Sequence, residues 1–151
     1  SAPPVFWPAL LMIRAVTFGA AHRQADALAA IHDAQAALPD GDPMGPDIGL
    51  VHADLLLAAD PPDFALAELT LERVAALAAG RGGRMAQLQA LTRLADLRRG
   101  TEAGRATIGA LRAVYGTLTE GFELPQVVAA RQVLDAHEFG PPGLGAIPFN
   151  G

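Results

Sequence analysis

The residue types that most often carry chemistry are few in this sequence and lie far apart. The 4 histidines are His22, His32, His52 and His137. None has a second histidine four residues away with a glutamate between them, the spacing of a helical zinc site. A single histidine on a helix is usually a surface residue or one whose hydrogen bonds are satisfied, and we interpret all of them in this way.

The remaining candidates for catalysis or metal binding are equally weak. The sequence contains no cysteine, which excludes disulfides, thiolate zinc sites and a cysteine nucleophile. Glu68 and Glu72 are one helical turn apart, but no histidine lies beside them and Arg73 is adjacent, so a solvated helix face is the better interpretation. We therefore expect no catalytic residue, no metal site and no cofactor, and we expect that the chain is not an enzyme.

A glycine-rich segment at residues 80–84 lacks the Gly-Lys-Ser/Thr ending of a phosphate-binding loop and follows a predicted helix rather than a strand. It is therefore interpreted as a connection between helices. The arginines in and after it are Arg81, Arg84, Arg98, Arg99 and Arg105. Either they gather at one end of a helical stack and meet an anionic partner, or they complement helix C-termini, which is the interpretation we favour.

The overall composition indicates an all-α protein. Hydrophobic residues make up 51% of the chain and charged residues only 18%, with alanine and leucine prominent and aromatic residues scarce. The net charge of −5 argues against direct nucleic-acid binding. Because Arg14 interrupts the best apolar run and no signal-peptide pattern is present, we expect no membrane association and a cytoplasmic protein.

The spacing of apolar residues predicts about seven helices. They cover residues 9–21, 23–38, 47–59, 64–79, 85–99, 102–118 and 125–137. Asp63 is a suitable N-cap, Thr101 can cap the helix that follows it, Gly121 can adopt the left-handed conformation, and Pro125 suits a first helical turn. The helix at 47–59 is apolar over much of its circumference and should be central.

Several packing positions follow from the same spacing. Phe64 begins a stripe on its helix that is expected to be buried. Gly104 and Gly109 weaken the helix at 102–118, so we expect them to permit close packing. Tyr115, with Leu118 and Phe122, is expected to close the end of the stack, and replacement of either aromatic residue by alanine should then be strongly destabilising.

The predicted helices fall into pairs that repeat. In the first pair the small residues Ala27 and Ala34 flank Ile31, and Pro39 ends the hairpin. A small, large, small and proline series at this spacing is the signature of a tetratricopeptide unit, and the next two pairs repeat it more loosely. The predicted fold is therefore all-α, with antiparallel helix pairs stacked as a short tetratricopeptide-like superhelix.

This fold implies a simple domain organisation. A proline-rich lead-in at 1–8 precedes a helical repeat domain at 9–137, whose last helix, 125–137, caps the stack. A flexible Gly/Pro-rich tail follows at 138–151. Because the end of a solenoid exposes apolar surface, we expect the first helix and the lead-in either to pair with a second copy, giving a homodimer, or to be poorly ordered.

In a right-handed superhelix the first helix of each pair lines a concave groove. The outward residues predicted there are Met12, Val16, Asp47, Leu50, Asp54, Gln89, Arg93 and Asp96. These residues lack the set of Arg, Lys and Asn side chains that would hold a peptide carboxylate. The groove is therefore predicted as a binding surface without an identified ligand. The alternative is a solvated face or a surface that packs on a neighbouring domain.

Several segments carry a family resemblance. They are His52-Ala-Asp-Leu-Leu-Leu-Ala58, Ala67-Glu68 with the helix that follows, Leu94-Ala-Asp-Leu97, and, most specifically, Val114-Tyr-Gly-Thr-Leu-Thr-Glu-Gly-Phe122 with Pro125 and Ala130-Arg-Gln-Val-Leu-Asp135. The region 47–135 resembles the tetratricopeptide-like C-terminal part of large bacterial multidomain proteins, in which an ATPase module precedes the repeats. Their N-terminal parts are often adenylate-cyclase-like or transcriptional-activator domains. The resemblance implies a non-catalytic repeat module that acts through protein partners, either other domains of the parent chain or a regulatory protein.

The alternative function is a small-molecule sensor. Its pocket would lie between helix pairs, near Trp7, Phe18 and Phe64.

Overall fold

The computed structural model describes residues 23–139, which form six α-helices and no β-strand. They are α1 (Gln24–Ala37), α2 (Gly45–Ala58), α3 (Phe64–Ala79), α4 (Arg84–Leu97), α5 (Glu102–Tyr115) and α6 (Pro125–Phe139). The all-α class is therefore confirmed for this part of the chain. The predicted helix at 9–21, the lead-in at 1–8 and the tail from residue 140 onward lie outside the described residues.

The predicted signals at the helix ends act as expected. The carboxylate of Asp63 accepts a hydrogen bond from the backbone N–H of Leu66 at 3.0 Å, which caps α3. The hydroxyl of Thr101 does the same for the N–H of Gly104 at the start of α5, also at 3.0 Å. Gly121 adopts a φ of 78° and α6 begins at Pro125, so the connection between α5 and α6 is also confirmed.

The helices pack in two rows. Each helix contacts the next one along the chain, and α2, α4 and α6 also contact one another in succession. Helix α3 packs against both α2 and α4, and α5 packs against both α4 and α6. Successive helix pairs therefore share contacts, and α4 is the most extensively surrounded element. Within the described residues, no helix combines the length and the apolar composition needed to cross a bilayer.

Helix α2 lies between two hydrophobic clusters. Its residues Ile48 and Leu55 pack with the buried alanines and isoleucine of α1. Leu50 and Ala53 belong instead to the larger cluster formed with α3, α4, α5 and α6. The prediction of a central helix at this position is therefore confirmed. The fully buried large side chains, each contributing about 1.5–3 kcal/mol through burial, are Ile31, Ile48, Leu71, Leu88, Leu94, Leu111 and Val127.

The two glycines of α5 have different roles. A Cβ on Gly104 would lie 2.2 Å from the backbone oxygen of Arg98, so only glycine fits where α5 meets the end of α4. Gly109 is exposed, and a Cβ there would have no neighbour within 4 Å. Close packing is thus confirmed for Gly104, and the prediction was wrong for Gly109.

Two aromatic residues expected in the core are exposed. Phe64 is 59% exposed because it is the first residue of α3 and lies beyond the turns that pack on α2 and α4. Phe122 is 47% exposed, and its ring contacts the edge of Tyr115 with the centroids 6.0 Å apart. Tyr115 and Leu118 are half-buried against the main cluster. The cap over this end of the stack is therefore looser than the sequence suggested.

Candidate functional site

Three of the predicted groove residues meet where α2 and α4 lie side by side. The guanidinium of Arg93 donates to both carboxylate oxygens of Asp54, with Nε to Oδ1 at 2.7 Å and Nη2 to Oδ2 at 2.8 Å. Arg93 Nη1 also donates to the backbone oxygen of Gln89 at 3.2 Å. This bidentate pair connects two consecutive first helices and pairs two of the four charged groups that the groove was expected to present. Met12 and Val16 lie outside the described residues.

The predicted outward position of Leu50 was wrong. Leu50 is 4% exposed and packs in the main hydrophobic cluster. Three residues turn a helix by about 300°, so Leu50 is displaced by roughly 60° around α2 from Asp47. That displacement moves the leucine into the packed interface, whereas Asp47 and Asp54 remain exposed.

The last predicted groove residue, Asp96, pairs within its own turn. Its carboxylate accepts from Arg99 Nη2 at 2.8 Å, and both side chains are largely exposed. Within the described residues, the predicted groove therefore combines two ion pairs, Asp54 with Arg93 and Asp96 with Arg99, with the exposed Asp47 and one buried leucine. It is better suited to fixing α2 against α4 than to clamping a charged ligand.

A second charged network lies on the other side of α4. Arg98 Nε donates to Glu68 Oε1 at 2.6 Å, Nη2 donates to Glu72 Oε1, and Nη1 donates to Thr107 Oγ1 at 3.2 Å. The Arg98 side chain is only 18% exposed. The hydrogen bond to Glu68 raises the pKa of Arg98, with Glu72 reinforcing the effect. The side chains of Glu68 and Glu72 stay 40% and 49% exposed, as on the solvated face that was predicted, and both carboxylates also bind Arg98.

The arginines near the glycine-rich segment divide between opposite ends of α4. Arg81 precedes the helix, Arg84 is its first residue and Arg99 follows it, and a helix of this length separates its two ends by about 20 Å. Arg84 Nη1 donates to the backbone oxygen of Thr117, just after α5, at 3.3 Å. For Arg84 the favoured prediction, complementing a helix C-terminus, is confirmed. Arg81 donates instead to the loop oxygen of Asp42 at 3.1 Å.

A cleft of about 310 Å³ lies where the C-terminal end of α4, the start of α5 and the end of α6 meet. Its apolar walls come from three helices: Ala95 on α4, Ile108 on α5, and Val133 and Ala136 on α6. Polar side chains also line it, namely Asp96, Arg99, Thr101, Arg105 and His137. We name this the α4–α5–α6 cleft.

One histidine is buried. His52 on α2 is 8% exposed, and its Nδ1 lies 3.3 Å from Gln35 Nε2 of α1. Its ring meets that of His32 edge to face at 5.3 Å, and its Nε2 is buried without a hydrogen-bond partner among the described residues. Burial lowers the pKa of His52, and the neighbouring His32 lowers it further. The sequence analysis interpreted every histidine as a surface residue or one with satisfied hydrogen bonds. For His52 this was wrong, because the ring is buried and only Nδ1 has a partner within residues 23–139.

Helix α3 carries exposed leucines on one flank. Leu66, Leu69 and Leu77 are 40%, 55% and 41% exposed, and their spacing places them on one side of the helix. That side is turned away from the buried residues Leu71 and Val74. We name Leu66, Leu69 and Leu77 the α3 apolar flank.

Sequence reasoning missed this flank although its signal was present. Leucines at positions 66, 69 and 77 follow a helical period of their own beside the buried stripe. The buried His52 and the α4–α5–α6 cleft had no such signal, because both depend on residues brought together from different helices. No group of three or more His, Asp or Glu side chains positioned to hold a metal ion occurs within residues 23–139.

Comparison of the chain with protein-family models, curated proteins and solved structures gave no match.

Proposed function

We propose that this chain is a non-catalytic protein-interaction module, built as a short tetratricopeptide-like array, within a larger cytoplasmic bacterial signalling ATPase or transcriptional regulator. The resemblance of residues 47–135 to such repeat regions supports the assignment. The packing is consistent with it, because α2, α4 and α6 contact in succession while α3 and α5 each pack on two of them. Stacked helix pairs of this kind build extended surfaces that bind other proteins.

The last helix that the structure describes, α6, packs one apolar side onto the stack. Val127, Ala130 and Leu134 are buried on this inner side. Its exposed residues include Arg131 and Asp135, which form an i, i+4 pair at 3.7 Å, and also Val128. The outer face of α6 is therefore mixed, while its inner side covers the preceding helices as the capping helix of an array does.

The α3 apolar flank is the observation that carries the interaction function. Folded domains usually expose large apolar side chains singly, and clusters of them on one element mark surfaces that bind a partner. The flank consists of leucines that are not part of the two hydrophobic clusters formed within residues 23–139. Arg73 lies between Leu69 and Leu77 in sequence and on the same side of α3, and it is exposed.

The partner that this surface fits is an apolar surface with an acidic residue at its centre, on another domain of the parent chain. Leucines supply the buried apolar area, and Arg73 would pair with the acidic group as the interface closes. The ATPase module preceding the repeats is the first candidate, because the resemblance places it in the same polypeptide.

Calorimetric titration of this chain with the separately produced ATPase module tests the proposal. Wild type is expected to bind, and Leu69→Asp is expected to weaken binding at least about tenfold, since a charge would be buried in an apolar contact. Val128→Asp is the matched control, because Val128 is a comparably exposed apolar residue on α6. Absence of wild-type binding, or equal effects of the two substitutions, would contradict the assignment of this surface.

Small-molecule sensing is the second candidate function, and the structure favours a different position for it. Phe64 is exposed rather than part of a pocket, and Trp7 and Phe18 lie outside the described residues. The α4–α5–α6 cleft is the observation that supports this function, because its walls are apolar and its volume of about 310 Å³ lies at the lower end of the range of ligand sites. Protein docking at α3 does not involve this cleft.

A further inference from the structure

We propose that the α4–α5–α6 cleft binds a small organic anion: an apolar body, such as an aromatic ring, that bears a carboxylate or a phosphate ester. This inference rests on the second function above, small-molecule sensing, and is independent of protein binding at the α3 apolar flank. The apolar walls, the charges at the cleft and its size each contribute one part of the argument.

The apolar body is recognised by the inner walls. Ala95 and Ile108 are buried core residues whose surfaces form the deep part of the cleft, and Val133 and Ala136 extend the apolar surface along α6. Gly104 also lines it and contributes backbone surface, while its missing Cβ faces the backbone of Arg98. A flat ring placed between α5 and α6 would bury apolar surface on both faces.

The anionic group is recognised by the two arginines of the cleft. Arg99 and Arg105 line it, against one carboxylate, Asp96, which already pairs with Arg99, and the imidazole of His137 adds a polar group to the lining. Arg105 makes no ion pair with any other residue that the structure describes. A chain with a net charge of −5 therefore presents a locally positive cleft, and this complementarity favours an anion over a cation or a neutral molecule.

The volume limits the ligand to the size of a substituted single ring. At about 310 Å³ the cleft is at the lower limit for organic ligands and cannot enclose a dinucleotide. Ligands with about ten heavy atoms bind in the millimolar range when each atom contributes a few tenths of a kcal/mol, and the test is designed for that range.

Titration of the ¹⁵N-labelled chain, followed by amide chemical shifts, is the test. Phenyl phosphate and benzoate are the probes, with inorganic phosphate and benzyl alcohol as controls that lack the apolar body or the charge. Both probes are expected to shift the amides of Gly100, Gly104, Ile108 and Ala136 with saturation. Each control is expected to bind at least about fivefold more weakly, since it loses one of the two sets of contacts.

Two variants locate the binding. Arg105→Gln is expected to weaken both probes about fivefold, whereas Arg112→Gln, an exposed arginine two turns further along α5, leaves their affinity unchanged. Ala136→Trp fills the cleft from an exposed position and is expected to abolish saturable shifts while the melting temperature stays close to that of wild type.

Three results would overturn the proposal. They are the absence of shifts at the cleft amides with either probe, equal affinity for inorganic phosphate and phenyl phosphate, and equal affinity for benzyl alcohol and benzoate. None of these results tests protein docking at the α3 apolar flank, because no residue of α3 lines the cleft. A chain that binds the probes and fails to bind the ATPase module would retain the sensing function and lose the interaction function.

Discussion

Gly49 of α2 and Val74 of α3 are so close that a Cβ on the glycine would lie 2.3 Å from Cγ2 of the valine. Val74 is buried and β-branched, so its side chain has little freedom to move away. Gly49→Ala is therefore expected to lower the free energy of unfolding by about 1–3 kcal/mol, although alanine favours helix by about 1 kcal/mol over glycine. Urea denaturation followed by circular dichroism measures the change.

The matched control for that variant is Gly109→Ala. Gly109 is an exposed glycine inside α5 with no neighbouring atom where a Cβ would go. Only helix propensity changes there, so Gly109→Ala is expected to raise the free energy of unfolding by about 0.5–1 kcal/mol. If Gly49→Ala also stabilised the chain, α2 and α3 would not cross at Gly49.

Arg98 joins α3 to α5 through side-chain hydrogen bonds, and its replacement should weaken the packing of α4 against both helices. Arg98→Met is expected to cost about 1–2 kcal/mol, because two partly exposed carboxylates and a hydroxyl lose a charged donor. Arg99→Met, at the next position, is the control. It removes only the exposed i, i+3 ion pair with Asp96, and it is expected to lower the free energy of unfolding by less than about 0.5 kcal/mol. Equal costs in chemical denaturation would show that the Arg98 network adds no more than a surface pair.

His52 should make stability depend on pH. Burial lowers its pKa below the ordinary value of 6.5, so the folded state resists a proton that the unfolded chain accepts. Above pH 6.5 both states are neutral and stability is complete; as the pH falls below 6.5, stability declines until the lowered pKa of the folded state is passed. The neighbouring His32 lowers the pKa of His52 further and so widens this pH window.

Chemical denaturation between about pH 7.5 and 5.5, above the range where carboxylates titrate, measures this effect. His52→Gln is expected to flatten the decline, and the exposed His137→Gln is expected to leave it as in wild type. A decline of the same size in His52→Gln would place the responsible group elsewhere.

The sequence predicted the helices well because each depends on local signals. The caps at Asp63 and Thr101 and the start of α6 at Pro125 are determined by neighbouring residues along the chain. Leu50 shows where such reasoning fails, since a displacement of about 60° around a helix decides between groove and core. The packing of α3 and α4 against α2 determines which side is covered.

The features of the candidate sites were the hardest to predict, because residues distant in sequence form them. His52 resembles the other histidines along the chain and is distinguished only by the packing of Gln35 and His32 from α1. The arginines at residues 81–105 are close together in sequence. The length of α4 nevertheless places Arg81 and Arg84 at one end of that helix and Arg99 at the other.

Phe122 provides a test of the end of the stack. Because its ring is about half exposed, Phe122→Ala is expected to cost about 1 kcal/mol rather than the 3–5 kcal/mol of a buried aromatic residue. Leu111→Ala, at a fully buried position in the same part of the fold, is expected to cost about 2–5 kcal/mol. Thermal unfolding of the two variants distinguishes them, and a larger loss for Phe122→Ala would mean that Phe122 is part of the core.

The proposed interaction function is tested most directly by hydrogen–deuterium exchange of this chain, alone and with the ATPase module that the proposal names as its partner. Binding at the α3 apolar flank is expected to slow exchange in peptides that cover residues 64–79 and to leave peptides from 125–139 unchanged. Slower exchange confined to α6, or no change in α3 at saturating ATPase module, would contradict the assignment of α3 as the docking surface.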